Sequence, residues 1–265
     1  MLARFARLLT IVGLSVPTVA SAQTLEYAPG SGQYRVASRT VGSQEAMGQK
    51  QDFETSSNQL LTVEISRPHR DTMALTATID SLNVVGPMGM TPPGLDQLIG
   101  FKVMAKLSPF GALYTAAGAP DTVPNAEQLT DEMSRILPRI RGPLTAGSVW
   151  TDTTTGTVKQ MGLDIKREVV TTFTVRGDTT VAGEASWNIG RESVVTMSGS
   201  GTSQGQAMTM GGTAKGGGSI VVSRNGVFLG STSTDDVNLT VTLVANGMEI
   251  GVVQNAETRI ERVAK

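Results

Sequence analysis

The sequence predicts a mainly β fold: a large curved antiparallel sheet or open β-barrel, with one main amphipathic helix at about 125–141 packed on it. Three observations lead to this prediction. Apolar residues alternate with polar ones through most of the chain, which is typical of half-buried antiparallel strands. Threonine, serine and valine dominate these stretches, and glycine turns separate them. One segment departs from the alternation and spaces its apolar residues as a helix does.

Residues 1–22 have the pattern of a secretory signal peptide. Two arginines precede an apolar run from Leu8 to Val19, and Ala20-Ser21-Ala22 supplies small residues at the cleavage position. The run is shorter than the roughly 20 apolar residues of a membrane-spanning helix, and no later stretch is apolar enough. We therefore expect a single exported β-rich domain at 23–265, without a transmembrane segment after signal removal. Its expected location is the periplasm, with an extracellular location as the alternative.

Composition excludes several kinds of site. The chain contains no cysteine, which rules out disulfides, thiolate metal ligands and a cysteine nucleophile. Its formal net charge is −1, and loss of Arg4 and Arg7 with the signal peptide would make it −3. Because basic residues are not clustered, we expect no nucleic-acid partner. We also expect no metal site, no cofactor and no catalytic site, since the single histidine, His69, lies beside two arginines in an apparent turn.

The alternating stretches predict roughly a dozen strands. Met73, Leu75, Ala77 and Ile79 share one face, and the threonines between them share the other. Four turns are predicted, at Asn225-Gly226, Asn246-Gly247, Gly177-Asp178 and Pro109-Phe110-Gly111. Two glycine-rich stretches, 86–94 and 198–218, are predicted to be loose loops because glycine at that density weakens strands, with a short strand at 208–210 as the alternative within the second.

The helix is predicted from one stripe of apolar residues within 125–141. Leu129, Met133, Ile136 and Leu137 form this stripe, which should face the sheet. Asn125 is a suitable N-cap, and Pro138 should end or kink the regular helix near Leu137. Three arginines lie outside the stripe and are interpreted as a solvated face, or alternatively as a contact for an anionic head group: Arg135, Arg139 and Arg141.

The helix separates two halves of similar plan, at about 30–120 and 145–265. Residues 101–114 and 219–229 each read as an apolar strand, a serine, a glycine turn and a second apolar strand. An internal duplication would produce this similarity, and so would the chemistry that β-hairpins share. Both explanations stay open at this point.

The order of these features resembles a family of exported, β-rich bacterial proteins of unknown function. The resemblance rests on the predicted signal peptide, Tyr34 in the first strand, the glycine-turn hairpin, and Leu137-Pro138 followed by Gly147-Ser148-Val149-Trp150. It assigns no catalytic residue. The architecture is also similar to that of periplasmic lipid and lipoprotein carriers, whose unclosed barrel wraps one or more helices. That resemblance implies a hydrophobic ligand, although this chain has only one clear helix.

The methionines indicate where such a ligand would bind, because methionine is favoured at adaptable apolar surfaces. The predicted ligand-binding residues are Met88 and Met90 at a lip, with Leu129, Met133 and Ile136 on the helix. The alternative for all five is ordinary core packing. We expect a non-enzymatic binder or carrier of a lipid or acyl chain in the cell envelope. One alternative is a structural or protein-interaction component with a filled core, its protein partners unspecified; a less favoured one is a hydrolase built from scattered carboxylates.

Overall fold

The computed structural model describes residues 23–91, 94–118, 126–160, 162–203 and 205–263. Three predictions fall outside this part of the chain: the signal peptide at 1–22, the N-cap Asn125, and the side chain of Met88.

The described residues include thirteen strands, one α-helix and two short 3-10 helices. The strands are β1 (Gln23–Thr24), β2 (Gly30–Ala46), β3 (Gln49–His69), β4 (Thr72–Val85), β5 (Lys102–Leu107), β6 (Leu113–Ala117), β7 (Pro143–Leu144), β8 (Val149–Gln160), β9 (Leu163–Val181), β10 (Glu184–Ser203), β11 (Gln206–Ser223), β12 (Phe228–Leu243) and β13 (Met248–Arg262). The helix α1 is Ala126–Ser134, and the 3-10 helices are Pro87–Gly89 and Leu95–Leu98.

Eleven strands form one antiparallel sheet in the order β6-β5-β4-β3-β2-β13-β12-β11-β10-β9-β8. Strands β2 to β6 form one meander and β8 to β13 a second, and the two meet where β2 pairs with β13. β6 and β8 are the two edges, so the sheet is not closed into a barrel. The predicted fold class, a mainly β open sheet with one helix packed on it, is confirmed.

α1 lies against strands from both edges of the sheet. It contacts β4, β5 and β6 at one edge and β8 at the other. Because β6 and β8 are the outermost strands, the sheet must curve until both edges reach the helix. The Asp131 carboxylate also accepts a hydrogen bond from the Arg167 guanidinium of β9, at 2.5 Å. The helix therefore bridges the opening of the curved sheet.

α1 is shorter than predicted, because it ends at Ser134 and not near residue 141. Pro138 has no N–H to donate to the carbonyl of Ser134, four residues earlier, and its ring would crowd that carbonyl. Ile136 and Leu137 are nevertheless buried, 8% and 3% exposed, in the non-helical chain that follows. The arginine face predicted for the helix is correspondingly wrong beyond Arg135.

The core consists of buried side chains from the helix region and from the inner face of the sheet. That face is marked by Tyr34, Leu61, Ile189 and Ile220, all of them buried. The stretch that follows β1 joins the same core, and its Tyr27 is completely buried. β1 itself pairs with β7 and forms a separate two-stranded sheet.

Two turns with matching hydrogen bonds stand at the same end of the molecule. Between β5 and β6, the Ser108 amide donates to the Ala112 carbonyl, and Ser108 Oγ accepts from the Ala112 amide at 3.0 Å. Ser223 and Val227 make the same pair of bonds between β11 and β12, with the Oγ contact at 3.1 Å. The similarity of the two halves thus extends to corresponding turns, while a duplication stays a prediction.

The two turns hold the buried N-terminal stretch between them. The Tyr27 amide donates to the Pro109 carbonyl at 2.8 Å, and the Ala28 amide donates to the Gly226 carbonyl at 2.9 Å. Each half of the sheet therefore contributes one turn to fixing this stretch of chain.

The predicted turns at Asn225-Gly226, Asn246-Gly247 and Pro109-Phe110-Gly111 are confirmed, but the one at Gly177-Asp178 is wrong. β9 continues through Gly177, which lies beside a register shift between Asn188 and Ile189 of β10. The chain reverses at Ala182-Gly183, where both residues have positive φ. The prediction of a turn is wrong here because glycine permits a β-bulge as readily as a turn.

The predicted loose loop at 198–218 is also wrong, since most of it belongs to β10 and β11. Its glycines allow adjacent strands to approach closely. A Cβ at Gly201 would lie 2.2 Å from the Gly162 carbonyl oxygen, and one at Gly218 would lie 2.0 Å from that of Thr232. Both glycines are on the inner face, so they permit tight curvature of the sheet.

Candidate functional site

The register of the sheet places a row of polar residues across its inner face. The row crosses six adjacent strands from β3 to β10 and consists of Ser57, Ser38, Thr258, Ser233, Gly218 and Arg191. We call these six residues the polar row. The neighbouring row toward the buried end has four apolar and two polar residues: Gln59, Val36, Ile260, Ser231, Ile220 and Ile189. The inner face therefore becomes more polar by one step of the pleat.

A cavity of about 530 Å³ lies between this face and the helix. Leu129 and Met133 of α1 and Ile136 just beyond it form the helix side. The apolar residues of the sheet side are Val36, Leu61, Ile220 and Ile260. Such a volume is within the range of about 300–1,000 Å³ that small-molecule sites occupy.

One end of the cavity is polar. Its lining includes four members of the polar row, Ser38, Ser57, Thr258 and Arg191. Ser38 Oγ and Ser57 Oγ are hydrogen-bonded to each other at 2.8 Å. The lining as a whole is mixed, because it also includes Thr40, Gln59, Glu132, Arg135 and Ser231.

Arg191 is incompletely paired. The nearest carboxylate oxygen, Asp235 Oδ1, lies 3.8 Å from its terminal nitrogen, beyond hydrogen-bond distance. Its Nε is buried and has no hydrogen-bond partner. Its cross-strand neighbours are Phe173 and Gly218, neither of which carries a polar side chain.

Asp235 is held in an unfavourable setting for a charge. Burial raises the pKa of its carboxyl group, and the nearby Arg191 charge and a hydrogen bond from Ser233 lower that pKa by less. The side chain lies against Gly216, where a Cβ would meet Asp235 Oδ1 at 1.8 Å. Arg191 and Asp235 therefore form a loose, half-buried ion pair. Arg191 belongs to the cavity lining, and Asp235 lies beside it.

The three arginines predicted on or near the helix are engaged in ion pairs. Arg135 Nε donates to Asp131 at 2.6 Å. Arg139 and Arg141 both donate to Asp152 Oδ1 of β8, at 2.9 and 3.0 Å. These pairs fasten the helix and the chain after it to the β8–β9 edge.

The structure brings three of the predicted ligand-binding residues together and places another elsewhere. Leu129, Met133 and Ile136 line the cavity. Met90 is 61% exposed in the loop after β4, where its carbonyl accepts a hydrogen bond from the Gly86 amide. Met88 belongs to the 3-10 helix in that same loop. Met90 is not part of the cavity lining.

The sequence reasoning missed Arg191 and Asp235. A signal was present, because Ile189, Arg191, Ser193 and Val195 are two residues apart and therefore share one face of their strand. A charged residue in phase with apolar ones marks an inward-facing charge. Asp235, two residues before Val237, is in phase with the apolar residues of β12 in the same way.

Among the described residues, no three histidine, aspartate or glutamate side chains lie close enough together to hold a metal ion. His69 is at the exposed end of β3, as expected for a turn histidine. In the same part of the chain, no helix has the length and apolar character needed to cross a membrane.

Comparison with known proteins adds no family to this description: no protein-family model matches the chain, and no curated protein matches it.

Proposed function

We propose that this protein binds a hydrophobic ligand, such as a lipid or a single acyl chain, between its helix and the inner face of its sheet, and that it acts as a non-enzymatic carrier in the cell envelope. The export signal predicted at 1–22 supports that location. The observation that carries the proposal is the cavity of about 530 Å³ behind α1.

The lining of the cavity supports an apolar ligand. Seven of its lining side chains are aliphatic or thioether groups: Val36, Leu61, Leu129, Met133, Ile136, Ile220 and Ile260. Apolar surface gains about 25 cal/mol for each Å² removed from water, so an acyl chain in this space would be stabilised by its burial. Methionine at position 133 can adjust its rotamer to chains of different shape.

The position of α1 suggests how a ligand would enter. The helix bridges two sheet edges that do not hydrogen-bond to each other, and exposed or half-exposed ion pairs help to fasten it there. Such pairs typically contribute 0 to about 1 kcal/mol each. Movement of the helix would therefore open the cavity without breaking the ladder of the sheet.

The proposal is tested by binding of a fluorescent fatty acid to the exported, delipidated protein. We expect saturable binding at one site per chain. Ser231→Trp introduces a bulky side chain into the cavity lining and should abolish binding. Thr232→Trp is the matched control, because this neighbouring residue is exposed and faces the opposite side of β12.

Thermal unfolding of both variants distinguishes a blocked cavity from a misfolded chain. Binding that is absent, or that survives in Ser231→Trp as in Thr232→Trp, would contradict a ligand in this cavity. A protein that binds no ligand but captures an envelope protein would instead support the structural or interaction role.

A further inference from the structure

We propose that the ligand is a single-chain amphiphile with an anionic head group, carboxylate or phosphate, and that Arg191 binds the head group while the chain extends toward Met133. This inference rests on the proposed function and specifies its ligand class. The juxtaposition that carries it is one cavity lined both by an incompletely paired guanidinium and by aliphatic residues.

The charge of Arg191 is the first step of the argument. A half-buried guanidinium usually forms short, bidentate hydrogen bonds with a carboxylate. Here the carboxylate of Asp235 lies 3.8 Å from the terminal nitrogen, and the buried Nε has no partner. An anion in the cavity would supply the terminal nitrogen with the close acceptor that the protein does not provide.

Arg135 is a poorer candidate for the head group, although it also lines the cavity. Its Nε donates to Asp131 at 2.6 Å, and the same carboxylate accepts from Arg167. Its guanidinium therefore already has a short hydrogen bond to a carboxylate, which it shares with Arg167. Of the two arginines in the lining, Arg191 has the weaker protein partner.

The hydroxyls of the polar row supply the remaining donors. Ser38, Ser57 and Thr258 line the same end of the cavity as Arg191. Hydroxyl groups can donate to the second oxygen of a carboxylate or to the further oxygens of a phosphate. Asp235 lies beside this end, and at 3.8 Å its carboxylate is beyond hydrogen-bond distance of the guanidinium.

The helix side of the lining contains charged as well as apolar residues, because Glu132 and Arg135 line the cavity beside Met133 and Ile136. Met133 and Ile136 are at least nine-tenths buried, so an alkyl chain that reaches them leaves water. A cationic amphiphile would place like charge against Arg191 and would be disfavoured.

The test compares four ligands with the same alkyl chain: dodecanoate, dodecyl phosphate, dodecanol and dodecyltrimethylammonium. Each is titrated calorimetrically below its micelle concentration into the delipidated protein. We expect at least one of the two anions to bind about tenfold or more tightly than dodecanol, as a charge-assisted hydrogen bond contributes that order of affinity. The cation should bind more weakly than the alcohol.

Arg191→Gln should remove the preference for the anion over dodecanol, while Arg191→Lys should retain part of that preference. Arg259→Gln is the matched control, because Arg259 is exposed and pairs with Glu261 on the outer side of β13. Preference for carboxylate over phosphate, or the reverse, identifies which anionic group the site takes.

The inference is overturned if dodecanol binds as tightly as both anions, or if Arg191→Gln keeps the preference. In either case the alcohol is still bound, and the proposed function stands without this head group. If none of the four ligands binds, the proposed function itself fails. Unfolding midpoints measured for each variant identify any loss of binding that comes from a loss of fold.

Discussion

The phenol of Tyr27 donates a hydrogen bond of 2.7 Å to the carbonyl oxygen of Pro138. The bond joins residues 111 positions apart, one in the buried N-terminal stretch and the other just after the helix. Pro138 also lines the cavity. The bond therefore links the buried N-terminal stretch to the segment after the helix, which lines the proposed ligand site.

Removing this phenol should destabilise the whole fold. Tyr27→Phe keeps the buried ring and leaves the Pro138 carbonyl without this donor, at an expected cost of about 1–2 kcal/mol in the free energy of unfolding. Urea denaturation measures the change. Tyr114→Phe is the control, since Tyr114 is 58% exposed and its replacement should cost less than about 0.5 kcal/mol. Equal stability of the two variants would contradict a structural role for the bond.

The turn at Gly226 should not tolerate a side chain. Its φ is +82°, and a Cβ would lie 2.0 Å from the Glu26 carbonyl oxygen. Gly247 also has positive φ, at +66°, but a Cβ there would meet nothing within 4 Å. Gly247→Ala should therefore cost about 1 kcal/mol of backbone strain, whereas Gly226→Ala should cost at least about 2 kcal/mol more.

Urea denaturation of both glycine variants separates the cost of backbone strain from the cost of the collision with the Glu26 carbonyl. If both lose the same free energy of unfolding, the close approach of the N-terminal stretch to this turn makes no energetic contribution. A large loss confined to Gly226→Ala would show that the two meanders are held together partly through this stretch.

The local pattern predicted much of this molecule because alternation reports which side chains share a face. Met73 to Ile79 are buried on one face as expected, and the Asn225-Gly226 turn is where the pattern placed it. The same rule failed at Gly177, since one glycine can serve a bulge or a turn and only the partner strand decides which.

The contacts that build the site are non-local, and so the sequence did not predict them. Arg191 of β10 and Asp235 of β12 come together because only β11 separates their strands in the sheet. Likewise, Leu129 and Met133 both pack with the core and line a cavity because α1 bridges two edges that lie far apart in the chain. Helical spacing identifies an apolar stripe but not what the stripe faces.

Asp235 should make the stability of the protein depend on pH. Burial raises its pKa above the ordinary value of 3.8, so the folded state holds this proton more tightly than the unfolded state does. Stability from this group is therefore full below pH 3.8 and falls as the pH rises through the higher folded-state pKa. Asp235→Asn should remove that decline and should be more stable than the natural protein at neutral pH.

Unfolding free energies measured from acidic to neutral pH test this expectation. The difference between the natural protein and Asp235→Asn should grow across the window above pH 3.8 and then level off. Asp236→Asn is the matched control, because this neighbour is exposed on the other face of β12. A variant that is less stable than the natural protein at neutral pH would mean that the pairing with Arg191 outweighs the cost of burial.

The length of the ligand chain should control affinity until the cavity is full. Each methylene that leaves water contributes about 0.8 kcal/mol, so the dissociation constant should fall about fourfold for each added carbon. The fall should stop at the length that reaches the wall formed by Met133 and Ile136. Titration of a series of saturated fatty acids below their micelle concentrations measures where it stops.

Ile136→Ala moves that wall outward and should shift the limiting length toward longer chains, although it should also cost about 2–5 kcal/mol of stability. Ile99→Ala removes the same atoms from a side chain that is 50% exposed and outside the cavity lining, and it should leave the limit unchanged. An affinity that keeps rising with length in all three proteins would mean that the chain lies along the open sheet face and does not end against the helix.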